Sequence, residues 1–211
     1  MNNTNHSLFD KYEMIKDLGT GSSGSVTLVR HISMDQERAL KKVPKASAFA
    51  ESALSEARLL KSLEHPSIPR IFDFEEDDAF YYIVEEYIDG ETLDSFLLHQ
   101  QLISPGLFFN ICEQLCNVFI YLHTQISTPI IYRDLKPEHI IVCLNKLKLI
   151  DFGVSAYVIQ DGNNFNHYGN IEFSAPECFT EDTITPAADI YSLGQLLQYI
   201  LTFTPDSFSH C

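Results

Sequence analysis

The chemistry of this chain opens on three glycines, in the run Gly19-Thr20-Gly21-Ser22-Ser23-Gly24-Ser25-Val26. Glycines at this spacing let a strand–turn–strand lie close over phosphates, so that backbone N–H groups meet the oxygens. Taken alone, the pattern is better read as a plain hairpin. A dinucleotide-binding glycine motif needs a helix to follow, and residues 25–30 read as a strand. Lys41 arrives two residues after Ala39 on a later strand, and Glu56 lies on the helix beyond. A lysine beside phosphates needs an anionic partner to hold it, and Glu56 is placed to supply one. Further on come Tyr132-Arg133-Asp134-Leu135-Lys136-Pro137-Glu138-His139, then Asp151-Phe152-Gly153, Ser174-Ala175-Pro176-Glu177 and Asp189-Ile190-Tyr191-Ser192-Leu193-Gly194. Any one of these runs could be coincidence; all of them in this order could not.

The elements that must position these residues follow from periodicity. Residues 1–9 read as a disordered leader, polar and without the basic and apolar regions of a signal peptide. In residues 12–43, Val26, Leu28 and Arg30 alternate with Thr27, Val29 and His31, and Ala39, Lys41 and Val43 share one strand face. Leu54, Ala57, Leu60 and Leu63 recur at helical spacing until His65-Pro66 stops the run. Strands are expected near 70–75 and 79–87, joined by the acidic, solvated turn Glu75-Glu76-Asp77-Asp78. Asp89-Gly90 breaks the chain. Thr92 caps a short helix to His99, and Ser104 with Pro105 opens a long one through His123. Phe108, Ile111, Cys112, Leu115, Phe119 and Leu122 form its buried stripe. Short β segments are expected at 130–132, 140–144 and 147–150, and a last helix from 187 to about 201. The fold class is α+β: a β-rich lobe over 10–88 with one main helix, a hinge near 86–90, and a helical lobe over 89–211.

Together the motifs resemble the eukaryotic-type Ser/Thr protein kinase family, in a bacterial-like and C-terminally short form, from residue 12 to about 203. The resemblance implies a bilobal kinase-like fold and transfer of the γ-phosphoryl of ATP to protein hydroxyls. It assigns Gly19, Gly21, Ser22 and Gly24 to the phosphates, and Lys41, paired with Glu56, to the α and β phosphates. Asp134 would orient or accept the proton of the substrate hydroxyl, and Lys136, the Ser/Thr-type choice, would steady the γ-phosphoryl. Asp151 would hold Mg²⁺. Val26, Ala39 and Ile141 would sandwich adenine, with Glu86 and Tyr87 offering backbone hydrogen bonds. Leu60, Ile71, Tyr132 and Phe152 would stack in a regulatory column, and Asp189 would bond the catalytic-loop backbone. Such chemistry depends on placement and on cations over developing charge more than on covalent steps.

The chain also departs from the family. Tyr132 replaces the usual loop histidine. His139 stands where the second metal ligand is normally Asn, and imidazole suits softer divalent ions, which implies Mn²⁺ beside or instead of Mg²⁺. Glu85 precedes the hinge at a normally apolar position, unless the register slips by one and puts Val84 there. The chain ends soon after the helix of Asp189, which would leave Leu193, Leu196, Leu197 and Ile200 partly exposed for a second copy or a partner protein. Between Gly153 and Ala175 the customary Thr is Asn170, which argues against activation by loop phosphorylation. An active kinase and a nucleotide-binding pseudokinase serving as an interaction module are both compatible with these residues.

Composition narrows the partners. With 14 basic against 29 acidic residues the net charge is −15, which disfavours nucleic acid and anionic membranes and favours a basic protein substrate. No apolar run is long enough to span a bilayer. Five scattered cysteines without a C-x-x-C pair suit free thiols in a reducing cytoplasm, or in a host cytosol for a delivered protein. Cys112 and Cys116 are expected to pack in the core.

Overall fold

The computed structural model of the protein describes residues 8–21, 24–125, 127–157, 170–180 and 184–205. The chain divides into two compact units. Residues up to Glu64, with Pro69–Tyr87, form the first; His65–Ile68 and the residues from Ile88 onward form the second.

The first unit is an antiparallel sheet in the order β1-β2-β3-β5-β4. Its strands are β1 (Tyr12–Gly21), β2 (Gly24–His31), β3 (Gln36–Pro44), β4 (Ile71–Glu76) and β5 (Phe80–Glu86). Because side chains alternate across a strand, each sheet face collects its own core. Val29, Leu40, Tyr82 and Val84 gather on one face with Leu8 and Tyr12. Val43 and Ile83 meet Ala53 and Ala57 of α2 (Ala50–Lys61) on the other. In the β3–β5 ladder Ala39 lies opposite Glu85 and Lys41 opposite Ile83. Glu85 therefore shares the α2 face with Lys41, and Val84 points the other way into the core. The register is not slipped.

Residues 8 and 9 correct the expected leader. They begin a short helix, α1 (Leu8–Lys11), because local contacts tie them down. Leu8 is fully buried, its N–H donates to Glu75 Oε2 at 2.8 Å, and Phe9 meets Tyr82 edge-on at 5.3 Å. Lys11 donates to Asp73 Oδ2 at 2.8 Å. Residues 1–7 lie outside the described residues. The acidic turn is solvated, yet Glu75, Glu76 and Asp77 are committed internally. Glu76 pairs with Lys45 at 2.7 Å. Asp77 accepts from the N–H groups of Ala79 and Phe80 and from the Tyr82 hydroxyl, bonds that hold its carboxyl below the usual carboxylate range.

The second unit contains β6 (Glu91–Thr92), α3 (Leu93–Gln100), α4 (Pro105–Ile120), β7 (Ile130–Ile131), β8 (Ile140–Cys143), β9 (Lys146–Leu149), β10 (Ala156–Tyr157), α5 (Glu177–Thr180) and α6 (Ala187–Leu201). Thr92 and Ser104 cap α3 and α4 by accepting the N–H groups of Ser95 and Leu107. The long helix does not stay α-helical to His123. It widens into a π turn over Tyr121–Gln125, with the Thr124 hydroxyl donating to the Ile120 carbonyl at 2.7 Å.

Three further expectations need correction. Residues 65–68 belong to this unit rather than to the β-rich one. The Leu149 N–H donates to the Ser67 carbonyl at 2.8 Å, and the His65 ring packs on Tyr121 at 5.1 Å. Most of the apolar stripe of α6 is covered: Leu193, Leu196 and Ile200 are buried and Leu197 is half-buried, while Ile190, Tyr191 and Leu201 face solvent. Tyr199 stacks edge-on with Phe173 and Phe203. Cys116 is exposed on α4 rather than packed in the core, and Cys112 is half-buried.

Two substitutions test these constraints. Gly24 has φ +141°, and a Cβ there would lie 2.1 Å from the Lys42 carbonyl oxygen. Gly24→Ala is expected to lose about 1–3 kcal/mol in urea unfolding. In the second unit His65 Nδ1 accepts the Ser67 N–H at 3.1 Å, and burial followed by the Lys148 charge pushes the imidazole below its ordinary range. As pH falls through about 6.5 the unfolded chain takes this proton before the folded one, so stability drops. Melting temperatures measured from pH 7.5 to 5.5 should fall for the wild type and fall less for His65→Asn, which keeps an acceptor and does not titrate.

Candidate active site

In the first unit, strand alternation aims Lys41 at the face that α2 covers. Glu56 lies on the covering side of that helix, and its Oε2 meets Lys41 Nζ at 2.7 Å. The side chains are only 19% and 9% exposed, so removing either partner leaves a desolvated charge. Val26 on β2 lies opposite Lys41, and Ala39 is two residues earlier on the same face of β3. The β1–β2 turn closes with Gly21 opposite Gly24, while Ser22 lies outside the described residues. The glycines differ in kind. Gly24 is required by the Lys42 backbone, whereas nothing lies within 4 Å of a Cβ at Gly19 or Gly21. Their bareness leaves open space above the strands, as close phosphate approach needs. Glu86 gives its N–H to the Arg70 carbonyl at 2.9 Å, and Tyr87 follows the end of β5. Leu60 is buried and Ile71 half-buried on the α2 side.

In the second unit the loop from Tyr132 to the 3₁₀ turn Pro137–His139 is organised from below by Asp189 of α6. This carboxylate is wholly buried. It accepts the N–H groups of Tyr132 and Arg133, each at 2.8 Å, and a third contact from His123 Nε2 at 2.8 Å. Bonds to both oxygens fix the backbone at Arg133, whose φ is +76°. The loop is also braced to the strand that follows it. The Tyr132 hydroxyl donates to the Ile150 carbonyl, and the Ile150 N–H donates to the His139 carbonyl at 2.8 Å. Tyr132 sits between Phe119 and Phe152, with ring centroids at 6.3 and 5.0 Å.

These braces bring four polar side chains together. Asp134 Oδ2 lies 2.9 Å from Lys136 Nζ and 3.4 Å from His139 Nδ1. His139 Nε2 lies 3.4 Å from Asp151 Oδ2. Asp151 has φ +61°, and its Oδ1 accepts the Gly153 N–H at 3.3 Å. The first three side chains are sheltered, whereas Asp151 is 54% exposed. One carboxylate near a lysine can hold a hydroxyl proton, and a second beside an imidazole can hold a divalent cation. Ile141 is half-buried on β8, opposite Thr92 and Lys148.

The sequence-assigned residues thus fall into two groups, Lys41 with Glu56 and Asp134 with Lys136, His139 and Asp151. Sequence reasoning missed His123 and the brace from the Tyr132 hydroxyl. The available signal was a histidine ending an apolar helix in a chain whose buried aspartate needed a partner. Asp189→Asn puts an N–H₂ against backbone donors, and is expected to cost about 1–3 kcal/mol. Calorimetry should then show a melting temperature lower by roughly 2–12 °C.

The chain matches the protein kinase domain family over residues 12–210. It is similar to serine/threonine-protein kinase PrkC of Bacillus subtilis, with 31% identity over 201 residues covering 91% of this chain and 30% of that protein. Serine/threonine-protein kinase ppk25 of Schizosaccharomyces pombe is 33% identical over 188 residues, 86% of this chain and 44% of its own length. Calcium-dependent protein kinase 4 of Plasmodium falciparum is 32% identical over 218 residues, 96% and 39% respectively. The chain therefore spans 30% to 44% of the length of these relatives.

Proposed function

The chain belongs to the protein kinase domain family, and on that premise we propose that it is an ATP-dependent Ser/Thr protein kinase. The observation that carries this reading is the cluster of Asp134 and Lys136 on a braced loop with Asp151 beside its His139, in a chain whose Lys41–Glu56 pair is formed. Lys41 binds the α and β phosphates, held in place by Glu56. Gly19, Gly21 and Gly24 let the β1–β2 backbone approach the phosphates, a role the family resemblance extends to Ser22. Val26 and Ala39 give apolar surface to adenine, as does Ile141, and Glu86 and Tyr87 give it backbone polar groups. The N–H of Glu86 donates to the Arg70 carbonyl.

In the transfer step the substrate hydroxyl oxygen forms a bond to the γ-phosphorus while the bond to the bridging oxygen breaks and ADP departs. Asp134 takes the hydroxyl proton, and Lys136 offsets charge on the moving phosphoryl. The donor pair Asp151 and His139 fits a divalent ion, Mn²⁺ at least as well as Mg²⁺. Asp151 and His139 would hold such an ion, which would supply charge neutralisation for the phosphates. A net charge of −15 supports a basic protein segment as the acceptor. Among the described residues no helix is long and apolar enough to cross a membrane, and together with free thiols this supports action in the cytoplasm.

Intact-mass spectrometry after incubation with ATP and a basic protein, in Mg²⁺ or Mn²⁺, tests the reading. Added 80 Da increments on the acceptor are expected with wild type, and a loss of at least about a hundredfold with Lys41→Met or Asp134→Asn. Transfer that survives both substitutions would refute the assignment. ATP binding without any transfer would leave a nucleotide-binding module in its place.

A further inference from the structure

We propose that the cavity behind the glycine turn, on the sheet face away from Lys41, is a second ligand site that takes a small aromatic phosphate monoester. The site does not depend on the kinase reading, because its side chains stand on the face opposite to those assigned to nucleotide. The cavity has a volume of about 340 Å³, and the side chains of Thr20, Ser25, Lys42, Pro44 and Phe80 line it beside the glycine backbone. All of them belong to the first unit. The volume is in the usual range for small-molecule sites.

Strand register explains how this lining is built. Thr20 of β1 lies opposite Ser25 of β2, Ser25 opposite Lys42 of β3, and Lys42 opposite Tyr82 of β5. Residues paired directly across strands share a face, so two hydroxyls, an ammonium and a phenol form one row. Lys41, one residue earlier on β3, faces the other way with Val26 and meets Glu56 of α2. Pro44 pairs with Phe80 and gives the row an apolar end.

The donors of this row have no anionic partner. Lys42 Nζ rests over the Phe80 ring, 4.0 Å from its centroid and 5.8 Å from that of Tyr82. A ring face holds an ammonium less tightly than a carboxylate does and leaves N–H groups pointing outward. Among the described residues Lys42 Nζ forms no ion pair, and the Thr20 and Ser25 hydroxyls form no hydrogen bond. The Asp77 carboxylate is taken up by the N–H groups of Ala79 and Phe80 and by the Tyr82 hydroxyl. In a chain of net charge −15, a concavity that holds a lysine and no carboxylate is set apart for an anion. One ammonium and two hydroxyls supply donors for three oxygens, the number that a phosphate monoester presents. Pro44 and the rim of the Phe80 ring then receive an apolar body, for which a flat ring is the best fit. A head group bound in this way ties β1 to β3 across β2.

The test is a titration of the ¹⁵N-labelled full chain with phenyl phosphate, read by amide shifts, with and without a non-hydrolysable ATP analogue. Saturable shifts centred on Thr20, Ser25, Lys42 and Phe80 are expected, with a Kd of the order of 1 mM. They should persist in the presence of the analogue and in Lys41→Met. Lys42→Met keeps the apolar stem and removes the charge, and should weaken binding at least about tenfold. Benzyl alcohol, a ring without the anion, and inorganic phosphate, an anion without the ring, should each bind more weakly than phenyl phosphate. Displacement of phenyl phosphate by the analogue would assign it to the nucleotide face and overturn the inference. Equal binding to Lys42→Met, equal binding of either control compound, or the absence of saturable shifts would overturn it as well. The wild-type titration with its two control compounds decides the matter even if Lys42→Met folds poorly.

Discussion

A single buried carboxylate underlies the polar cluster of the second unit. Asp189 has no solvent, and an ionised carboxylate in that position is tolerable only when its oxygens are fully hydrogen-bonded. The Tyr132 and Arg133 N–H groups and the His123 ring supply those bonds. The obligation runs both ways. The loop presents two consecutive N–H groups to one carboxylate, and Arg133 holds a positive φ as it does so. The widened turn at the end of α4 belongs to the same requirement, since it is the segment that carries His123 to the carboxylate.

The ion pair of the first unit follows the same logic with different means. Lys41 and Glu56 are brought together by two periodicities that intersect: the alternation of β3 and the turn of α2. Neither residue could sit where it does alone, because each would be a desolvated charge. In both units the strained or costly group is polar and the ordinary apolar core surrounds it. Functional chemistry is therefore paid for locally, by partners within hydrogen-bond reach.

Much of this was legible in the sequence. Periodicity located β2 to β5 of the first sheet, α2, α4 and α6, and Ser104-Pro105 marked a helix start through capping chemistry that is local by nature. The family motifs named Lys41, Glu56, Asp134 and Asp151. What escaped depends on tertiary partners. Leu8 looked like tail until the sheet offered it a pocket and Glu75 offered it an acceptor. The stripe of Leu193, Leu196 and Ile200 is amphipathic in either orientation, and only its packing reveals which side faces inward. Residues 65–68 follow the α2 sequence but take their hydrogen bonds from β9, a choice no local signal encodes. His139 was visible as a departure, whereas the distances to Asp134 and Asp151 came only from the fold.

The strand order of the first sheet also bears on how the protein is assembled over time. β1 with β2, β2 with β3, and β4 with β5 are neighbours in sequence and close through short turns. The β3–β5 ladder alone joins strands separated by α2 and β4, so its closure carries the largest chain-entropy cost in the sheet. That ladder is the one that sets Lys41 opposite Ile83 beneath α2. On a newly made chain the hairpins are cheap to form early, whereas the lysine meets its glutamate only after the most distant join is made.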